Sequence, residues 1–193
     1  MLLAEDDPLL ASLPEHLAEF AHVTVAGHLD ALTGKLAGVT DETIDTCASA
    51  ADLVLVEADG AAGRPVKAPA PWEPVIPSHA DLVIPVVGLD CLGKAVGQDC
   101  VFRLPEFLAV TGLKEGDEIT AQVIGRLMSH SHGGMQGVKE GLRVVPFLNK
   151  IDLAPSALVE ETARAILSAA SGRIQRVGAG TLKGDVRITC YTA

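Results

Sequence analysis

Two short strings hold the residue types that handle a nucleotide. The first is Leu53-Val54-Leu55-Val56-Glu57-Ala58-Asp59-Gly60, an apolar run that opens into two acids and a glycine. A carboxylate at the end of a buried strand can hold Mg²⁺ through water beside a nucleotide's phosphates. Asp59 is the candidate ligand, and Glu57 the candidate base or outer partner. Gly60 lets backbone approach a phosphate. The second string is Asn149-Lys150-Ile151-Asp152, which comes after the apolar run Arg143–Leu148. A carboxylate there can accept hydrogen bonds from N1 and N2 of guanine. The Asn side chain can satisfy O6 or N7, and the Lys stem can cover the ring face. Asp152 could equally just lead into the next helix.

Other strings carry weaker signals. Gly63-Arg64-Pro65-Val66-Lys67 places two cations on a proline-stiffened loop, so Arg64 and Lys67 are candidate contacts for an anion or a partner. Gly88-Leu89-Asp90-Cys91-Leu92-Gly93-Lys94-Ala95 nearly matches a phosphate loop. It fails at Ala95, which lacks the hydroxyl for Mg²⁺, and Val96-Gly97-Gln98-Asp99 is a poor helix start. His130 and His132 lack an obvious third ligand, and a helix end explains them. Cys91, beside Lys94, and Cys100 are candidate thiols for group transfer, although buried thiols are the commoner case.

The elements that must position these residues alternate. Helices are expected at Leu13–Ala21, Asp41–Ala50 (capped by Thr40 or Asp41), Arg103–Thr111, Thr120–His130 and Pro155–Ala170. Strands are expected at His22–Ala26, Leu53–Val56, Leu82–Val87, Arg143–Leu148 and Val186–Tyr191. Prolines 65, 69, 71, 74 and 77 exclude helix and central strand between them. This pattern predicts a three-layer α/β/α fold with a mostly parallel sheet. In such sheets ligands bind at the carboxyl ends of strands, where both acidic strings fall.

The whole-chain numbers narrow the function classes. The 193 residues fit a single domain. A net charge of −10 repels a phosphate backbone, which argues against nucleic acid as partner. Glu5-Asp6-Asp7 reads as a short solvated stretch. Four cysteines without a CxxC read as reduced thiols, and no apolar stretch has membrane-spanning length, so a cytoplasmic location is expected.

Taken together, Val56 through Pro69, then Trp72-Glu73-Pro74-Val75-Ile76-Pro77, Val86 through Asp90 with Gly93-Lys94, and Leu148 through Asp152 resemble one family. It is the YqeC-type family of selenium-dependent molybdenum hydroxylase accessory proteins. Lys35 through Val39 fits as well, and the likeness runs over roughly residues 22–180. The resemblance implies a P-loop-NTPase-like fold and a role in selenium cofactor biosynthesis or hydroxylase maturation, and the two acidic strings point to GTP or another nucleotide with Mg²⁺. The hydroxylase or its cofactor-assembly proteins would be the partners. Such proteins open with a strand and a glycine-rich G-K-T/S loop, which nothing before His22 supplies. The expectation is a chain shortened relative to the family, missing the phosphate-loop strand, that binds nucleotide weakly and hydrolyses it poorly. Leu53–Val56 and Leu82–Val87 would then leave a gap unless they close together or another segment inserts. Two alternatives are a non-hydrolysing scaffold and a selenium- or sulfur-transfer enzyme using Cys91 or Cys100.

Overall fold

The computed structural model describes residues 2–3 and 10–193. The acidic run at residues 5–7 lies outside them. Contacts divide the chain into two compact units, meeting at Glu57 and Ala58. Among the described residues, no helix is long and apolar enough to cross a membrane.

In the first unit, strand β1 (Leu2–Leu3) pairs in parallel with β2 (Val25–Ala26). Helix α1 (Leu13–Glu19) carries Pro14 in its first turn, where a missing N–H costs nothing. Helix α2 (Asp41–Ala50) starts where Thr40 Oγ1 accepts the Thr43 N–H at 3.2 Å. Asp41 and Glu42 then face the positive end of its dipole.

The expected strand Leu53–Val56 does not form, and this corrects the sequence reading. The segment makes no ladder, and Leu53 and Leu55 are 73% and 79% exposed. An apolar run becomes a strand only where a neighbour takes up its N–H and C=O groups. Among the described residues no strand does so.

The second unit opens with β3 (Val66–Lys67), β4 (Leu82–Val83), β5 (Val86–Gly88) and β6 (Val101–Phe102). Helices α3 (Leu104–Thr111) and α4 (Ala121–Ser129) come next, then β7 (Arg143–Val144) and β8 (Phe147–Asn149). Helix α5 (Ser156–Ala169), β9 (Arg176–Thr181) and β10 (Arg187–Thr192) complete it. The main sheet runs β10-β9-β8-β5, with β5, β8 and β9 parallel and β10 antiparallel. β4 and β7 continue the β5–β8 pairing backwards. Pro85 and Pro146 interrupt the formal ladder, because neither has an N–H to give. The Pro85 carbonyl still accepts the Phe147 N–H at 2.8 Å. β3 and β6 form a separate parallel pair.

The α/β pattern with mostly parallel pairing therefore holds. β9 was not foreseen. Val87, Leu148, Val177 and Ala179 point to one face and pack with Ile124, Leu127, Val159, Ala163 and Ile166 of α4 and α5. Each large aliphatic buried this way contributes about 1.5–3 kcal/mol. Gly125 lets the two helices close together, since a Cβ there would meet the Ala165 backbone at 2.8 Å. The alternate positions Ile84, Val86 and Ile188 are 50%, 57% and 65% exposed.

Candidate functional site

β5 and β8 end side by side, and each runs into a 3-10 turn: Leu89–Cys91 and Ile151–Leu153. An ion pair joins the turns, with Lys150 Nζ 2.9 Å from Asp90 Oδ2. Lys150 adopts left-handed backbone at φ 62°, and its N–H is taken by Asn149 Oδ1 at 2.8 Å. Such a conformation costs a non-glycine residue about 1–3 kcal/mol, so the surroundings must hold it. The other Asp90 oxygen, Oδ1, is buried without a hydrogen-bond partner. It lies against Gly88, where a Cβ would come within 2.5 Å of it. Gly88 is thus required by close approach. Its sequence places Asp90 in a false phosphate loop; the structure makes it the partner of the guanine-type string. No helix starts after Lys94 there.

Asp152 is exposed and borders a cavity of about 200 Å³ shared with Ser156, Val159, Thr181, Arg187 and Tyr191. Ile151, Ala154 and Val159 make most of its wall apolar, with the Ser156 and Thr181 hydroxyls, Arg187 and Tyr191 beside the carboxylate.

The loop from Ala58 to Lys67 passes the same sheet end, because the Pro65 carbonyl accepts the Gly88 N–H at 2.8 Å. Asp59 does not stand open: Lys67 Nζ lies 2.8 Å from its Oδ2. Lys67 also donates to the Gly60 carbonyl and to Glu73 Oε2, both at 2.9 Å. Glu73 in turn binds Arg103 through two oxygens, at 2.8 and 3.4 Å. Arg103 and then Lys67 hold the Glu73 carboxyl down to about 2, against the opposing effect of burial. Glu73 raises Arg103 in return. Arg64 donates to the carbonyls of Gln98 and Ala62. Glu73 and Arg103 were missed in the sequence because 30 residues separate them.

Of the residues expected to act together, Asn149 ends β8 and Lys150 follows it, while Asp59 and Arg64 lie on the loop that leads past the same sheet end into Lys67 of β3. Glu57 is exposed and closes the first unit. A Mg²⁺ at Asp59 would have to displace the Lys67 ammonium. Among the described residues, no group of three or more His, Cys, Asp or Glu could hold a metal ion. The His130 and His132 rings lie 5.8 Å apart, tilted by 42°, and the His132 backbone N–H donates to His130 Nδ1.

The thiols are poorly placed for transfer chemistry. Cys91 is 0% exposed, and burial pushes its thiol up to about 12. Burial also raises Cys100. The thiolate is the nucleophile, so neither is ready for attack near neutrality.

The family model described as YqeC protein matches residues 5–105, which include Asp59, Lys67, Glu73, Asp90 and Arg103. The chain belongs to the YqeC family. The uncharacterized protein YqeC of Escherichia coli (strain K12) is 35% identical over 129 residues, covering 66% of this chain and 50% of that protein. The chain thus spans about half the length of this curated YqeC relative. No solved structure matches it.

Proposed function

We propose that this YqeC-family chain is a nucleotide-binding accessory protein. It would act in selenium cofactor biosynthesis or in maturation of selenium-dependent molybdenum hydroxylases, on a P-loop-NTPase-like sheet. The observation that carries nucleotide binding is the juxtaposed carboxyl ends of β5 and β8. There Asp90 pins Lys150, and the Asn149–Asp152 string stands beside the loop from Asp59 to Lys67. That is the sheet end at which α/β folds take ligands. The selenium role rests on the family resemblance.

Binding of GDP and ADP to the chain, measured by titration calorimetry, tests the first part. GDP should bind weakly but better than ADP. Asp152→Ala should remove that preference, a loss of about tenfold to a hundredfold for a charged hydrogen bond. Equal binding of both nucleotides, or an unchanged preference in Asp152→Ala, would sink the reading. Brisk GTP hydrolysis that depends on Asp59 would overturn the expectation of poor turnover.

A second reading has an observation of its own. Asp59 is engaged with Lys67 rather than free to organise a metal. This favours a non-hydrolysing scaffold that holds the cofactor or its target enzyme. Capture of the hydroxylase by wild-type chain, undiminished in Asp59→Ala and Asp152→Ala, is the outcome this reading requires.

A further inference from the structure

Three threonines are buried among the described residues, and one differs from the others. Thr111 and Thr162 sit in helices, and each hydroxyl donates to the carbonyl a turn earlier, at 2.7 Å. Thr181 ends strand β9, where no such carbonyl is in reach. It is 6% exposed, and its hydroxyl has no hydrogen-bond partner among the described residues. Leaving a hydroxyl unmatched in a buried residue is costly. The hydroxyl is not sealed in, however, because Thr181 lines the cavity beside Asp152.

The same recess gathers complementary groups. The Asp152 carboxylate has no partner among the described residues, since Lys150 is tied to Asp90 and does not line the cavity. An ionised carboxylate only accepts, and its two oxygens take two N–H groups. Arg187 stands opposite Thr181 in the β9–β10 register and brings guanidinium donors to the recess. Its contact with Asp185 is 3.4 Å between two exposed side chains, which holds it weakly. Ile151 and Val159 supply apolar wall, and Tyr191 supplies a ring.

These groups select a ligand class. A cation would be opposed by Arg187, and a phosphate by Asp152. The volume of about 200 Å³ falls below that of sites for drug-sized molecules, so it suits one flat ring system. An acceptor pair beside a strong donor is the complement of a ring edge that carries adjacent N–H groups and a carbonyl.

We propose that this cavity seats a neutral ring and reads the amino-pyrimidinone edge, which guanine and pterin present alike. Asp152 accepts from the ring N–H and the amino group, and Arg187 donates to the carbonyl oxygen. The Thr181 hydroxyl bonds a further ring nitrogen, while Ile151, Val159 and Tyr191 cover the faces. The inference rests on the reading of Asp152 as a base-recognising carboxylate. It adds Thr181 and Arg187, which lie outside the Asn149–Asp152 string.

Titration calorimetry with guanosine, inosine and adenosine tests this, together with pterin followed by its own emission. Guanosine, pterin or both should bind, and the two arms tell which ring the cavity serves. Inosine, which lacks the amino group, should bind about tenfold more weakly than guanosine, and adenosine more weakly again. Thr181→Val should weaken the bound ring about threefold to tenfold without lowering the melting temperature, because the hydroxyl has no protein partner to lose. Arg187→Gln, an exposed change, should weaken it about tenfold and decides the matter if Thr181→Val proves unstable. Binding of neither guanosine nor pterin would overturn the proposal, as would wild-type affinity in both variants. Guanosine bound no better than inosine, with pterin unbound, would overturn it too. Pterin binding without guanosine would uphold the cavity and remove the nucleotide reading. GDP binding that depends on Asp152 but is indifferent to Thr181→Val and Arg187→Gln would do the reverse.

Discussion

Leu53–Val56 and Leu82–Gly88 are near twins as strings. Both are aliphatic, and both run into an acid within a few residues. One lies along a neighbour, with Val87 at 0% exposure; the other has no ladder, with Leu55 at 79%. The difference teaches that being a strand belongs to a pair of segments. Hydrophobic composition supplies the inner face, but the edge groups need a partner before burial can occur.

Substitutions can break or sharpen this contrast. Val87→Asp should be the most damaging, at more than about 4 kcal/mol, because it buries a charge without a partner. Urea denaturation monitored by far-UV circular dichroism reads it, and a stable variant would mean that β5 is not embedded. Leu148→Ala, in the paired neighbour strand, should cost about 2–5 kcal/mol by the same measurement.

Glu73→Gln comes next, at about 1–3 kcal/mol for lost charged hydrogen bonds. It also carries a pH signature. The folded carboxyl sits near 2 against an ordinary 4.5, so the unfolded chain takes up that proton first as acid is added. The stabilisation is complete above about 4.5 and is lost as pH falls towards 2. Acid titration of the melting temperature should show this slope in the wild type and a flatter one in Glu73→Gln. The smallest effect belongs to Leu55→Asp, within about 0.5 kcal/mol, since most of that side chain is already in water. A large loss there would show that the run is buried after all.

The helices were the most legible part. Thr40 announces α2 and does cap it, and Thr120, expected as the first residue of α4, turns out to be its cap. The Asn149–Asp152 string does stand at a strand end, as its apolar lead-in indicates. β9 was illegible because Arg176–Thr181 contains two glycines, which read as a turn. They are there for room: a Cβ at Gly178 would meet the Phe147 ring at 2.9 Å, and one at Gly180 would meet it at 3.0 Å. Asp90 was hidden by its loop, since nothing local shows that Lys150, sixty positions later, will reach it. The Glu73–Arg103 pair was out of reach for the same reason. Short strings report local chemistry, whereas ion pairs across the sheet end depend on register.

The sealed thiol of Cys91 has a consequence in time. Cys190 is exposed, so a thiol reagent should modify it at once. Cys91 can react only when the packing around β5 opens. Its slow labelling rate is therefore a clock for excursions of the sheet end, wound by local stability and readable without unfolding the rest of the molecule.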